Sequence, residues 1–192
     1  MSNEKHVVKL LEGRRVYLRP PETEDVPLLY RSFYHPEVRR LTGTTQMLSV
    51  EGMENWLEKV VKDESRLFLL IVDQEKDEVM GDIELLDMHQ VHRSAWIRIA
   101  LHREEYFGKG YGTEAMHLML NHGFHSLNLH RIELEVYDYN HRAIRTYERL
   151  GFRREGVRRE GLFHNHAYHD VILMGLLAHE YEFPGEVKDY QK

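Results

Sequence analysis

The segment FGKGYGTEA at residues 107–115 places three alternating glycines directly before a predicted helix. Backbone N–H groups at Gly108, Gly110 and Gly112 can point together into a small anion-binding nest beside the positive end of that helix. A pyrophosphate group would suit such a nest. A glycine-rich turn that merely starts a helix explains the segment equally well when it is taken alone.

Two common phosphate-binding loops do not fit this segment. In the dinucleotide pattern G-x-G-x-x-G, Thr113 would occupy the position of the third glycine, and several residues separate the loop from the preceding strand. In the Walker loop, Ser or Thr follows the lysine, whereas here Gly110 follows Lys109. The sequence therefore excludes both of these nucleotide-binding patterns.

Alternating strand and helix patterns surround the glycine segment. Thr23 and Ser49 are predicted N-caps of two helices in the first third of the chain, and Gly151 is a predicted left-handed cap that ends a later helix. The three β-rich runs that follow the second helix are separated by short turns, which predicts antiparallel neighbours. The predicted strands cover residues 14–20, 66–73, 79–88, 94–101, 131–138, 152–163 and 168–178.

Length and composition predict a single domain over residues 1–192, with a core at about 14–180 and short tails. Hydrophobic residues make up 42% of the chain and charged residues 30%, which is typical of a globular protein. The absence of cysteine excludes a disulfide framework and a thiolate zinc site. No run approaches the roughly 18 apolar residues of a membrane helix, and the N-terminal residues lack the pattern of a secretory signal. We therefore expect a cytoplasmic protein with no membrane partner.

The net charge of −6, from 26 basic and 32 acidic residues, disfavours a nucleic-acid partner because the molecule as a whole repels phosphates. Four arginines lie close together at residues 153–159. We interpret them as the solvated face of a strand, with a polyanion-binding site as the alternative.

A second segment, YNHRAIRTYERLGF at residues 139–152, follows the glycine loop after one helix and one strand. Together the two segments resemble the GNAT family of N-acetyltransferases. The cofactor loop of that family reads Q/R-x-x-G-x-G/A, and its next helix reads N-x-x-A-x-x-x-Y-x-x-x-G-F. The similarity covers about residues 14–180 and is strongest to the spermidine acetyltransferase branch, with the ribosomal-protein N-terminal acetyltransferases close behind. Phe107 stands where the family usually has Gln or Arg, and we expect weaker coenzyme affinity at most.

The resemblance implies a GNAT-like α/β (α+β) fold, with a mixed, mostly antiparallel central sheet and helices on both faces. It implies that the sheet splays between the fourth and fifth predicted strands to admit acetyl-coenzyme A. The acetyl group would pass directly to a primary amine of a polyamine, a peptide N-terminus or another small molecule. A homodimer is implied by resemblance alone, and a non-catalytic coenzyme-A-binding module is the alternative function. The implied cofactor-binding residues are Ala100, Leu101, His102, Phe107, Gly108, Lys109, Gly110, Tyr111, Gly112, Thr113, Asn140, Ala143 and Tyr147.

The catalytic residues that we predict are Tyr147 and Glu84. By resemblance, Tyr147 would lie near the sulfur and protonate the departing thiolate, although an aromatic core residue is the plain alternative. Glu84 is a candidate base for the ammonium proton because it lies on a strand near the expected cleft. Strand carboxylates are more often solvated, and we weigh that interpretation more heavily.

The acceptor is less well defined. A polyamine would require carboxylates lining its pocket, and the segment at residues 41–54 that links the first helices offers only Glu51 and Glu54. This weakens a polyamine assignment and leaves peptide N-termini and other amines open.

The run HNHAYHD at residues 164–170 suggests a metal site but does not predict one. His164 and His166 could share a strand face, whereas His169 would point away from them. Asn165 and His166 are predicted to form the turn of the last hairpin. We therefore predict no metal site, and we interpret the histidines at 117–130 as packing or surface residues.

Overall fold

The structure is a computed structural model that describes residues 8–183. The predicted frayed tail at 184–192 lies outside these residues. The strands are β1 Leu11–Glu12, β2 Val16–Arg19, β3 Leu67–Asp73, β4 Val79–His89, β5 Ser94–Leu101, β6 Arg131–Tyr137, β7 Arg153–His164 and β8 Ala167–Leu177. The helices are α1 Val26–Phe33, α2 Pro36–Thr42, α3 Val50–Lys62, α4 Tyr111–Asn121 and α5 His141–Arg149. None of the helices within the described range combines the length and apolar character that crossing a bilayer requires.

One sheet contains all eight strands, in the order β1-β2-β3-β4-β5-β6-β8-β7. Neighbouring strands are antiparallel except β5 and β6, which are parallel. These two strands pair only from Ser94 to Trp96 on β5 and from Arg131 to Glu133 on β6, and their pairing ends there. The predicted mostly antiparallel sheet, with an opening between the fourth and fifth predicted strands, is therefore confirmed.

Both faces of the sheet are covered because the strand side chains alternate between two hydrophobic clusters. On β3, Leu69 and Ile71 belong to a cluster that includes buried residues of α4 and α5. Leu70 and Val72 belong to the opposite cluster, which includes buried residues of α1 and α3. The predicted helices on both faces are confirmed, and the segment from α1 to α3 covers the face that also carries Glu84.

Two of the three predicted helix caps are confirmed. The hydroxyl of Ser49 accepts a hydrogen bond from the N–H of Gly52 at 3.0 Å, at the start of α3. Gly151 adopts a φ of 98° directly after α5, a conformation that glycine adopts without strain. The prediction for Thr23 was wrong, because Thr23 begins a separate 3-10 turn whose N-cap is Glu22.

The sequence analysis missed α2. It took the pair His35 and Pro36 only as the end of α1, but Pro36 is also the first residue of the next helix. Proline suits that position because its missing N–H would have no helical partner there. As a result, Arg39 and Arg40 lie on a short helix beside the cleft described below.

The arginines of residues 153–159 lie on β7, as predicted, and most are neutralised by nearby acids. This supports the interpretation of a solvated strand face rather than a polyanion site. The ion pairs join Arg153 to Glu180 at 3.0 Å, Arg154 to Glu148 at 2.9 Å, and Arg158 to Glu135.

The turn between β7 and β8 is confirmed at Asn165 and His166, which both have positive φ angles. His169 lies 3.5 Å from the carboxylate of Asp138. Within residues 8–183, no group of three or more His, Cys, Asp or Glu side chains is arranged to hold a metal ion. The absence of a functional metal stays a prediction.

Candidate active site

The divergence of β5 and β6 opens a cleft of about 1340 Å³. Its lining comes from the loop before α4, from the first turns of α5, and from the segment α1 to α3 above the other face of the sheet. The two sequence motifs therefore meet at one cleft, although β6 separates them along the chain.

Most of the predicted cofactor-binding residues line this cleft, and three lie outside its lining in the described structure. The carbonyl of Lys109 accepts a hydrogen bond from Arg15 at 2.7 Å, and the ring of Tyr111 packs under the same guanidinium at 4.3 Å. His102 is only 5% exposed and contacts Asp82 at 2.6 Å. The predicted residues in the lining are Ala100, Leu101, Phe107, Gly108, Gly110, Gly112, Thr113, Asn140, Ala143 and Tyr147.

The glycine loop leads directly into the N-terminus of α4. Gly108 and Gly110 have φ angles of 71° and 88°, which side-chain-bearing residues rarely adopt. Gly110 is the N-cap of α4, and no side chain in the described structure caps this end of the helix. The first N–H groups of α4 therefore remain available to an anion beside the positive end of the helix dipole.

Two arginines bracket this loop, each stacked on an aromatic ring. Arg15 stacks on Tyr111, and its backbone N–H donates to the carboxylate of Glu114 on α4 at 2.8 Å. From the other side, the guanidinium of Arg142 on α5 lies 4.0 Å from the centroid of Phe107. The polar residue that is usual in the family the motifs resemble is absent at position 107, but Arg142 brings positive charge to the same place.

The sequence analysis missed both arginines. Arg15 was assigned only to the first predicted strand, and Arg142 is one of the unspecified positions in the helix motif. No local signal in the sequence identifies either residue, because each reaches the loop from a segment far away along the chain.

Two residues of the second motif face the inner part of the cleft. The side-chain oxygen of Asn140 accepts the N–H of Ala143 at 3.2 Å and so caps α5, which leaves its amide NH₂ free to donate elsewhere. Tyr147 is half-buried, with its ring at 6.0 Å from that of Phe152. Burial raises the pKa of Tyr147 to about 12, so the phenol is protonated at neutral pH.

Glu84 lies on the floor of the cleft and is only 3% exposed. Its carboxylate lies 3.2 Å from Arg66 and 3.4 Å from Arg98. Burial raises the pKa of Glu84 above its usual range, and the two guanidinium groups only partly oppose that shift. The interpretation of a solvated strand carboxylate is therefore wrong for this residue.

Other acidic side chains on β4 and α3 fall into two groups. Asp82 and Asp87 line the cleft with Glu84. Glu51 and Glu54 are exposed on α3 and are not part of the cleft lining in the described structure. The helices above the sheet therefore bring neither of their two candidate carboxylates to an acceptor.

Comparison with known proteins gives a consistent result. The family model described as the acetyltransferase (GNAT) domain matches residues 15–153. Spermidine N(1)-acetyltransferase of Escherichia coli K12 is 34% identical over 167 residues, which cover 86% of this chain and 88% of the relative. The enzyme of the same name from Vibrio cholerae is 33% identical over 133 residues, covering 69% and 76%.

Solved structures agree with these matches. The crystal structure of spermidine N-acetyltransferase from Vibrio cholerae in complex with CoA and spermine has a TM-score of 0.82 and 28% identity, and the match covers 87% of this chain and 98% of that one. The GNAT family uses acetyl-coenzyme A, which confirms the predicted cosubstrate. By the matched domain and the shared fold, the chain belongs to the GNAT family and is an N-acetyltransferase.

Proposed function

We propose that the protein transfers the acetyl group of acetyl-coenzyme A directly to a primary amine, most simply that of a small molecule. The observation that carries this proposal is the single cleft at the opening of the sheet. The glycine loop, the half-buried phenol of Tyr147 and the buried carboxylate of Glu84 all line it. An anion site, an acid and a base around one cavity are the groups that acetyl transfer to an amine requires.

The coenzyme would enter along the glycine loop and the edge of β5. The N–H groups at the start of α4 would bind its pyrophosphate, with Arg15 and Arg142 nearby. Beyond Trp96, no strand of the described residues pairs with β5 on the side of β6, so its backbone can hydrogen-bond an extended chain such as the coenzyme's amide-bearing arm. The free NH₂ of Asn140 would donate to the same arm.

The chemistry requires three proton transfers, two from the nitrogen and one to the sulfur. Glu84 would accept the proton of the bound ammonium, directly or through one water, so that the amine can attack the thioester carbonyl carbon. The new C–N bond forms as the C–S bond breaks, and a backbone N–H of β5 stabilises the charge on the carbonyl oxygen. Tyr147 would donate its phenolic proton to the departing sulfur, and the phenolate would then take, directly or through water, the second proton that the nitrogen loses as it becomes an amide. The products are an acetamide and free coenzyme A.

Release of free coenzyme-A thiol tests the proposal. The protein is mixed with acetyl-coenzyme A and, in turn, spermidine, spermine, N-terminal peptides, lysine peptides and aminoglycosides. We expect thiol release that depends on the amine, with the acetylated amine identified by mass spectrometry. Binding of acetyl-coenzyme A without turnover of any amine would instead favour the coenzyme-binding module. A single domain over the chain, a cytoplasmic location and a homodimer stay predictions.

Arg15 provides a test of the coenzyme side of the cleft. Arg15→Ala removes both the hydrogen bond to Lys109 and the stack on Tyr111, and we expect KM for acetyl-coenzyme A to rise about tenfold with little change in kcat, since a charged hydrogen bond contributes about 1.5 kcal/mol. Steady-state kinetics at fixed amine concentration measure this change. Arg31→Ala, on the exposed side of α1, is the matched control. An unchanged KM in Arg15→Ala would show that the loop keeps its conformation without the arginine.

A further inference from the structure

The acceptor half of the cleft lies between the sheet and the segment α1 to α3, and the two sides differ in polarity. The roof formed by this segment contributes apolar and aromatic side chains, including Phe33, Leu48, Met53 and Trp56. Its polar groups in the described lining are hydroxyls and one amide, and it contributes no carboxylate. The ring of Trp56 packs edge-on against Phe68 of β3 at 5.4 Å, which closes this side.

Hydrogen bonds hold this roof in place. The hydroxyl of Tyr34 donates to the carbonyl of Leu48 at 2.7 Å and accepts from the N–H of the same residue at 2.8 Å. Arg39 donates to the carbonyl of Gln46 at 2.9 Å. The linker between α2 and α3 is therefore tied to α1 and α2 at two points, so the acceptor meets a largely preformed apolar surface.

A further hydrogen bond ties the same linker region to the sheet. The hydroxyl of Tyr137 on β6 donates to the carbonyl of Thr42 at 3.2 Å. A Cβ at Gly43 would lie 2.0 Å from that hydroxyl, and Gly43 has a φ of 65°. The close approach of the linker to β6 therefore depends on glycine, and it fixes the distance between roof and floor.

The floor carries charge of both signs, and most of its carboxylates already have cationic or histidine partners. Glu84 lies between Arg66 and Arg98, and Asp82 contacts His102. The side chain of Arg98 is 60% exposed. Burial and the nearby Glu135 raise the pKa of Tyr137, and the positive charge of Arg98 partly offsets this rise. A guanidinium thus stands in the floor between Glu84 and β6.

We propose that the acceptor is a primary monoamine on an apolar or aromatic body, and that Arg98 selects against polyamines. This inference rests on the proposed function. The reacting ammonium would bind at Glu84 while the apolar body packs against Trp56 and Phe33.

Of the other carboxylates of β4 in the lining, Asp82 already contacts His102 and Asp87 is exposed to solvent. Deeper in the cleft, the second ammonium of a polyamine would meet either the described roof, which contributes no carboxylate, or the guanidinium of Arg98. Against the roof the cation would lose its water, and beside Arg98 it would meet a like charge, so both positions are unfavourable.

A matched pair of acceptors tests this proposal. Hexylamine and hexamethylenediamine have the same chain, but the diamine replaces the terminal methyl with a second ammonium. We expect kcat/KM for hexylamine to exceed that for the diamine at least about tenfold, because the second ammonium of the diamine would lie beside a like charge or against an apolar surface. Phenethylamine should also exceed spermidine. Equal or better use of the diamine, or of spermidine, would overturn the proposal.

The variant Arg98→Gln tests the residue itself. Loss of the guanidinium also alters the surroundings of Glu84 and lowers the rates with hexylamine and with the diamine. The readout is therefore the ratio of kcat/KM for the diamine to kcat/KM for hexylamine. We expect this ratio to shift about tenfold toward the diamine. Arg159→Gln, exposed on β7 and outside the cleft lining in the described structure, should leave the ratio unchanged. An unshifted ratio in Arg98→Gln would contradict the role of Arg98 in selection. The proposed function itself would be wrong if neither these amines nor any amine of the wider panel caused thiol release.

Discussion

Replacing Tyr147 with phenylalanine lowers kcat by about 100-fold, the range expected for loss of a positioned general acid, while KM for acetyl-coenzyme A stays within about threefold of its native value. The ring remains, so its packing against Phe152 is kept. Within the described residues, the phenol hydroxyl makes no hydrogen bond to another protein group. The substitution therefore removes a proton donor without breaking a structural contact.

The raised pKa of Tyr147 determines the protonation state of its phenol during the reaction. Burial raises this pKa to about 12, so the phenol stays protonated throughout the usual range of assays. The same burial raises the pKa of the departing thiol, which has a reference value of about 8.5, and so brings the proton transfer nearer to balance. Titration of Tyr147 should therefore produce no alkaline fall in kcat below about pH 11.

Steady-state kinetics with saturating acetyl-coenzyme A check the prediction for Tyr147. The matched control is Tyr168→Phe, because Tyr168 is exposed on β8 and lies outside the cleft lining in the described structure. Thermal unfolding of both variants shows whether either change affects folding. A native kcat in Tyr147→Phe would mean that water or another group protonates the sulfur.

The architecture was largely predictable from the sequence, because it follows from local patterns. Alternation along β3 fixes which side chains face each cluster, and Ser49 and Gly151 mark helix ends by their own chemistry. The missed helix α2 is short and begins at Pro36, with only two residues between it and the end of α1 at Phe33. A proline at that position marks the end of one helix and the start of the next equally well in the sequence.

The site was less predictable, because side-chain placement depends on segments that are far apart along the chain. A motif gives backbone positions in the glycine loop, but it does not show that Lys109 and Tyr111 would contact Arg15. The alternation of β4 put Asp82 and Glu84 on one face, but it could not show what covers that face. Burial of Glu84 results from the roof of α1 to α3, which only the three-dimensional structure defines.

The substitution Glu84→Gln gives the second large effect. We expect kcat/KM for the amine to fall about 100-fold at neutral pH, because a lysine-like acceptor has a pKa of about 10.4 and is then almost entirely protonated. The residual rate should rise with pH up to the pKa of the amine, since only the free amine in solution can still react. Rate profiles of the native protein and the variant against pH measure both effects. A native rate at neutral pH would exclude Glu84 as the base.

The pH dependence of the native enzyme follows from the sign of the shift at Glu84. Its pKa is raised, chiefly by burial, so the acidic fall in kcat/KM should occur above the usual range of a carboxyl group. A raised folded-state pKa means that Glu84 favours the folded state most when it is protonated, and this contribution is lost as pH rises through that pKa. Glutamine resembles the protonated form, and Arg66 and Arg98 retain access to solvent. Glu84→Gln should therefore fold with at least native stability at neutral pH, so that its lost rate reports on the proton transfer and not on unfolding.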